Sequence, residues 1–130
     1  MTRFIIEKLD YVAAVLMAIL IPLGESLVFI GLLITIDTLT GMWAANKRNE
    51  KTSSKKLSNG LLPKLLLYPL ILIAGAGAES LFPEVPFIKG ATGMIAAVEW
   101  LSIIENANDI FGFNLLDKFK DFMRKRKDEL

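Results

Sequence analysis

Two stretches of this chain offer water no side to sit on. Residues 27–36, LVFIGLLITI, and 65–78, LLLYPLILIAGAGA, carry no charge and no polar face. A helix in a soluble bundle shows an apolar stripe backed by a polar face, since part of its circumference meets solvent. Helices that are apolar all round call for lipid as their solvent.

With that constraint in place, the rest of the chain divides readily. Hydrophobic residues make up 53% of the 130 positions, only slightly above a soluble domain, but they are clumped into runs with charged punctuation between them. Four runs come near the roughly 20 residues that a membrane-crossing helix needs: 4–23, 27–46, 61–78 and 87–106. Between them lie Gly24-Glu25-Ser26, the polar stretch KRNEKTSSKKLSNG at 47–60, and a turn from Glu79 to Pro86 with two prolines and two acids. The fold expected is all-α: a polytopic integral membrane protein with four, alternatively three, transmembrane helices plus a C-terminal amphipathic helix. Residues 1–114 form the transmembrane domain and 115–130 a basic amphipathic tail. Arg3 and Lys8 ahead of the apolar Tyr11–Leu23 stretch resemble a signal peptide, but no A-x-A cleavage pattern follows.

Several kinds of chemistry drop out. Cys and His are both absent, which excludes disulfides, thiolate zinc sites and imidazole acid–base catalysis. There is no glycine-rich phosphate loop and no metal-ligand cluster. No enzyme activity, cofactor or metal is expected.

With 15 Lys+Arg against 14 Asp+Glu, the electrostatic message lies in placement. Lys47, Arg48, Lys51, Lys55, Lys56 and Lys64 face a single acid, Glu50, over 47–64, and the tail holds Lys118, Lys120, Arg124, Lys125, Arg126 and Lys127. Positive loops stay cytoplasmic. Four crossings would put both termini in the cytoplasm; a single long span over 11–36, with Glu25 buried, would give three crossings and an outside N-terminus. The basic loop, and Arg124 to Lys127, suit anionic lipid headgroups better than nucleic acid. Leu115, Leu116, Phe119, Phe122 and Met123 suit a helix lying on the inner leaflet, or a solvated one.

Ionisable groups inside a bilayer are costly and default to functional candidates. Asp37, Glu99 and Glu105 are such groups. Asp37, Thr40, Gly41 and Ala44 share one helical face; Glu99, Ser102 and Asn106 share another. Lys64 enters the third helix at the depth expected for Glu105, which makes those two a candidate pair. Small-xxx-small pairs, Ala14/Ala18, Gly41/Ala45, Ala74/Ala78 and Gly93/Ala97, allow close helix approach within one copy or between copies. Trp43 and Trp100 read as interfacial or packing aromatics.

The string Asp37-Thr38-Leu39-Thr40-Gly41-Met42-Trp43-Ala44-Ala45 resembles the D-x-x-T-G-x-x-x-A element of the toxin-secretion/phage-lysis holin family. Ser53 or Ser54, then Ser58-Asn59-Gly60-Leu61 and Lys64-Leu65, is similar to that family's S…G-L-x-x-K segment. Glu99-Trp100-Leu101-Ser102-Ile103-Ile104-Glu105-Asn106 looks like its E-x-x-S-I-x-E-N signature, with Gly112 following. The resemblance covers about 27–116 and departs at Pro63, which is placed to kink the entry of the third helix. It implies a membrane protein that assembles as a homo-oligomer in the host's cytoplasmic membrane and opens lesions for an endolysin, a functional partner with no direct contact implied. Asp37, Thr40, Gly41, Lys64, Glu99, Ser102, Glu105 and Asn106 would then lie at oligomer contacts or line the lesion. Two other readings fit the residues: a small transporter or channel subunit using Asp37 or Glu99, and a membrane anchor or scaffold using the tail.

Overall fold

The structure, a computed structural model, describes residues 1–128. Among the described residues there is helix and no strand. The elements are α1 (Thr2–Leu20), a short 3-10 turn (Ile21–Leu23), α2 (Gly24–Lys47), α3 (Ser54–Leu81), α4 (Phe87–Phe111) and α5 (Leu115–Asp128).

The expected hairpin at Gly24-Glu25-Ser26 does not form. Pro22 has no N–H to donate to the Ala18 carbonyl, and the chain tightens into a 3-10 turn over that step. Gly24 then takes ordinary right-handed helical angles, φ −54° and ψ −48°, and Glu25 is exposed in the first turn of α2. Glycine permits a turn without imposing one. The stretch Thr2–Lys47 therefore runs as one apolar rod of 46 residues, about 69 Å at a 1.5 Å rise, roughly twice the hydrocarbon thickness of a bilayer. Thr2–Lys47, Ser54–Leu81 and Phe87–Phe111 are long and apolar enough to cross a membrane, so the structure carries the three-span architecture. The expectation of both termini on one side drew on an even number of crossings and loses that support.

The three long helices pack as a bundle in which α2 and α4 run parallel and α3 runs antiparallel to both. Ser26 lies beside Thr92, their hydroxyls 2.9 Å apart, and farther along the same direction Asn106 meets Asp37. Leu23, Ile30 and Ile34 of the rod, Leu72 of α3 and Ile95 of α4 form a compact apolar cluster. Gly75 allows α3 to approach the start of α4: a Cβ there would stand 3.4 Å from the Phe87 carbonyl oxygen. Apart from that cluster and a few further buried positions, Leu33, Ala44, Ala45 and Ile110, most large apolar side chains point outward, as they do when the surrounding solvent is lipid; Trp43 and Trp100 are among them.

The connections are set by local chemistry. Ser53 is extended and its hydroxyl accepts from the Lys56 N–H at 3.1 Å, capping α3. Glu79 accepts from the Ile88 N–H at 2.9 Å and fastens the start of α4. Gly112, with φ +71°, ends α4 in the left-handed conformation, and Asn114 accepts from the N–H groups of Leu116 and Asp117 to begin α5. Helix α3 continues through both Pro63 and Pro69 without a break in its helical span.

Candidate functional site

Helix α3 begins at Ser54, seven residues before the apolar run that suggested its start. Lys64 is consequently ten residues into the helix, about 15 Å along its axis, and not at its mouth. At that depth it reaches both Asp37 and Glu99. Its Nζ donates to Asp37 Oδ2 at 2.6 Å and to Glu99 Oε2 at 2.8 Å. The pairing expected between Lys64 and Glu105 is absent, and Glu105 is exposed on another side of α4.

The remaining lone pairs are also used. Tyr68, one turn beyond Lys64, donates its hydroxyl to Glu99 Oε1 at 2.5 Å. The Asn106 amide nitrogen donates to Asp37 Oδ1 at 3.0 Å and Thr40 Oγ1 at 3.1 Å, with the Asp37 carbonyl 3.2 Å away. Thr40 turns its own hydroxyl back toward the Ile36 carbonyl at 2.9 Å. Among the described residues no buried side-chain polar atom is left without a partner. Such completeness matters where charges leave water, because a buried ion pair is tolerable only when every donor and acceptor is satisfied. Glu99 is 0% exposed, whereas the Lys64 side chain retains 25%, so the cluster has a closed side and an open side.

Gly41 explains how the Asn106 amide comes so near α2. A Cβ at position 41 would meet its nitrogen at 3.4 Å. Ser102 lines a cavity of about 220 Å³ that also touches Asp37, Gly41, Lys64 and Asn106. Of the eight intramembrane candidates, seven thus share one region, and only Glu105 stands apart.

A second charged group ties the loop-side ends together. Arg48 donates to Glu50 at 2.9 Å and pairs with Asp109 of α4, while Lys56 of α3 donates to Glu50 at 2.8 Å. Hydrogen bonds from Arg48, then Lys56, hold the Glu50 carboxyl down at about 2, and Glu50 in turn raises Arg48. Two cations expected at headgroups, Arg48 and Lys56, are therefore engaged with acids. The basic end of α5, Arg124 to Lys127, is exposed.

Tyr68 and Asp109 were not apparent from the sequence. Tyr68 lies in an otherwise apolar run, and only its i, i+4 spacing from Lys64 places it on the same face.

A model of the bacteriophage holin family matches residues 14–128, most of the chain and all of the cluster just described. The chain belongs to the bacteriophage holin family. Neither the curated proteins nor the solved structures contain a match to it. Holins are not an enzyme family, and this holin-family chain is a membrane-embedded, helical protein. The family match reaches through α5 as well as the bundle, so it takes in both the intramembrane charges and the basic tail.

Proposed function

We propose that this chain accumulates in the host's cytoplasmic membrane and assembles with further copies into lesions that give an endolysin access to the cell wall. The observation that carries this reading is the Lys64–Asp37–Glu99 cluster, set in a holin-family chain with three lipid-length helices. In the packed chain Lys64 offsets part of the charge of Asp37 and Glu99, and Asn106 and Tyr68 complete their hydrogen bonds. A single copy then presents the bilayer with an apolar exterior and conducts little. When copies crowd, the same side chains become the polar surface of a lesion, with Asp37 and Glu99 facing water. Membrane lipids are the immediate partners, and the basic loop and α5 rest on the cytoplasmic leaflet through Lys47, Lys51, Lys55 and the Arg124–Lys127 run.

Controlled expression in a bacterium tests this. Respiration should stop abruptly, and a muralytic enzyme supplied in the cytoplasm should then reach the wall. Asp37→Asn and Glu99→Gln should shift the time of lysis; unchanged timing in both would remove these residues from the process. Purified chain in liposomes should release protein-sized solutes. Release of small ions alone would favour a transporter or channel subunit and overturn the lesion.

A further inference from the structure

The cavity beside Lys64 is placed asymmetrically. Its lining descends from Thr52 and Lys56 at the 48–53 loop, past Thr38, to Lys64, Asp37 and Ser102. Gly41 and Gly60 add no side chain to the passage, which keeps it open. At its deep end Tyr68 closes over Glu99, and beyond Tyr68 come Leu72, Ile95, Ile30 and Ile34 with no polar side chain among them. The exposure left to Lys64 and denied to Glu99 follows the same gradient.

From this we infer that the packed chain holds a water-filled vestibule, open toward the 48–53 loop, that ends blind at Lys64 and Asp37, with Glu99 shut away behind them. The volume of about 220 Å³ accommodates on the order of seven waters at about 30 Å³ each. The lining offers polar partners in Thr38, Thr52, Lys64, Asp37 and Ser102 beside apolar Met42, Leu57 and Leu61, and such partners are what separate a wet cavity from a dry one. At the blind end Lys64 pairs with Asp37 and with the fully buried Glu99, and toward the loop Lys56 pairs with Glu50. The apolar cluster seals the other side. This inference concerns the packed chain and stands apart from the lesion proposed above.

The chain has no cysteine, so single thiols report without background. The full-length chain is placed in membrane vesicles of both orientations, and the loop position Lys51→Cys identifies the loop side. Thr38→Cys and Ser102→Cys each exchange a hydroxyl for a thiol of similar size; Ile34→Cys lies in the apolar cluster. A membrane-impermeant methanethiosulfonate reagent is then applied. Thiols at 38 and 102 should react from the same side as the thiol at 51 and from that side only, while the thiol at 34 stays silent from both. Reaction at 38 and 102 as slow as at 34 would show the space to be dry and overturn the vestibule. Equal reaction from both sides would overturn the seal.

Discussion

In the half of the bundle remote from the 48–53 loop, Leu23, Ile30, Ile34, Leu72 and Ile95 meet through dispersion alone; in the half next to the loop, Lys64, Asp37, Glu99 and Asn106 meet through charge and hydrogen bonds. In water the apolar half would carry the stability. In lipid it does not, because a leucine leaving its partners finds hydrocarbon just as apolar. What remains there is close packing and the single hydroxyl contact of Ser26 with Thr92, which tolerate sliding better than an ion pair does. The polar half has no such indifference, since an ammonium or carboxylate parted from its partner has nowhere favourable to go. The apolar half lets the helices touch, and the polar half fixes which turn of one meets which turn of the next.

The largest effect expected from breaking this contrast comes from Lys64→Met, which leaves two carboxylates without their shared cation. Loss of one partner from a buried ion pair costs about 3–5 kcal/mol, read as a fall in the thermal unfolding midpoint of the detergent-solubilised chain. Adding Glu99→Gln to that variant should restore part of the loss. A single variant as stable as the parent would place the strength of the bundle elsewhere. Next comes Leu72→Ala on the apolar side. A buried Leu→Ala change in a soluble core costs about 2–5 kcal/mol; here only packing is lost, and about 1–2 kcal/mol is expected by the same melting experiment. A cost at the upper end of the soluble range would erase the distinction between the halves. Asn106→Leu should cost about 0.5–2 kcal/mol, the range for interhelical polar contacts in membranes, and should loosen α2 against α4, seen as faster amide exchange around Thr40.

The smallest effect belongs to the exposed clamp at the loop. Glu50 is held at about 2, below its ordinary value of 4.5, because its charged form accepts from Arg48 and Lys56. Its contribution is therefore complete above about 4.5 and fades as pH falls toward about 2. A titration of melting temperature should show a shallow decline across that window, absent in Glu50→Gln and flattened by salt.

Much of this was legible before any coordinates. The all-α membrane class follows from 27–36 and 65–78, and the grouping of Asp37, Thr40 and Gly41 follows from helical spacing, which needs no tertiary knowledge. The partner of Lys64 was misread because depth was counted from the first apolar residue, Leu61, whereas the Ser53 cap starts the helix a full two turns sooner. The hairpin at Gly24 was misread for a different reason. Gly-Glu-Ser has the composition of a turn, but composition cannot tell a glycine that turns from one that takes helical angles. Arg48–Asp109 spans 61 residues, and no local pattern links its two ends.

The rod formed by α1 and α2 leaves one last consequence. Along α1 no residue is buried, and Phe4, Ile5, Leu9, Val12, Leu16 and Leu20 all lie open. Among the described residues nothing shelters them, so the company α1 keeps is supplied from outside, by acyl chains or by neighbouring molecules. Its conformational preference is accordingly a property of the surroundings, and it changes with how densely the membrane is populated.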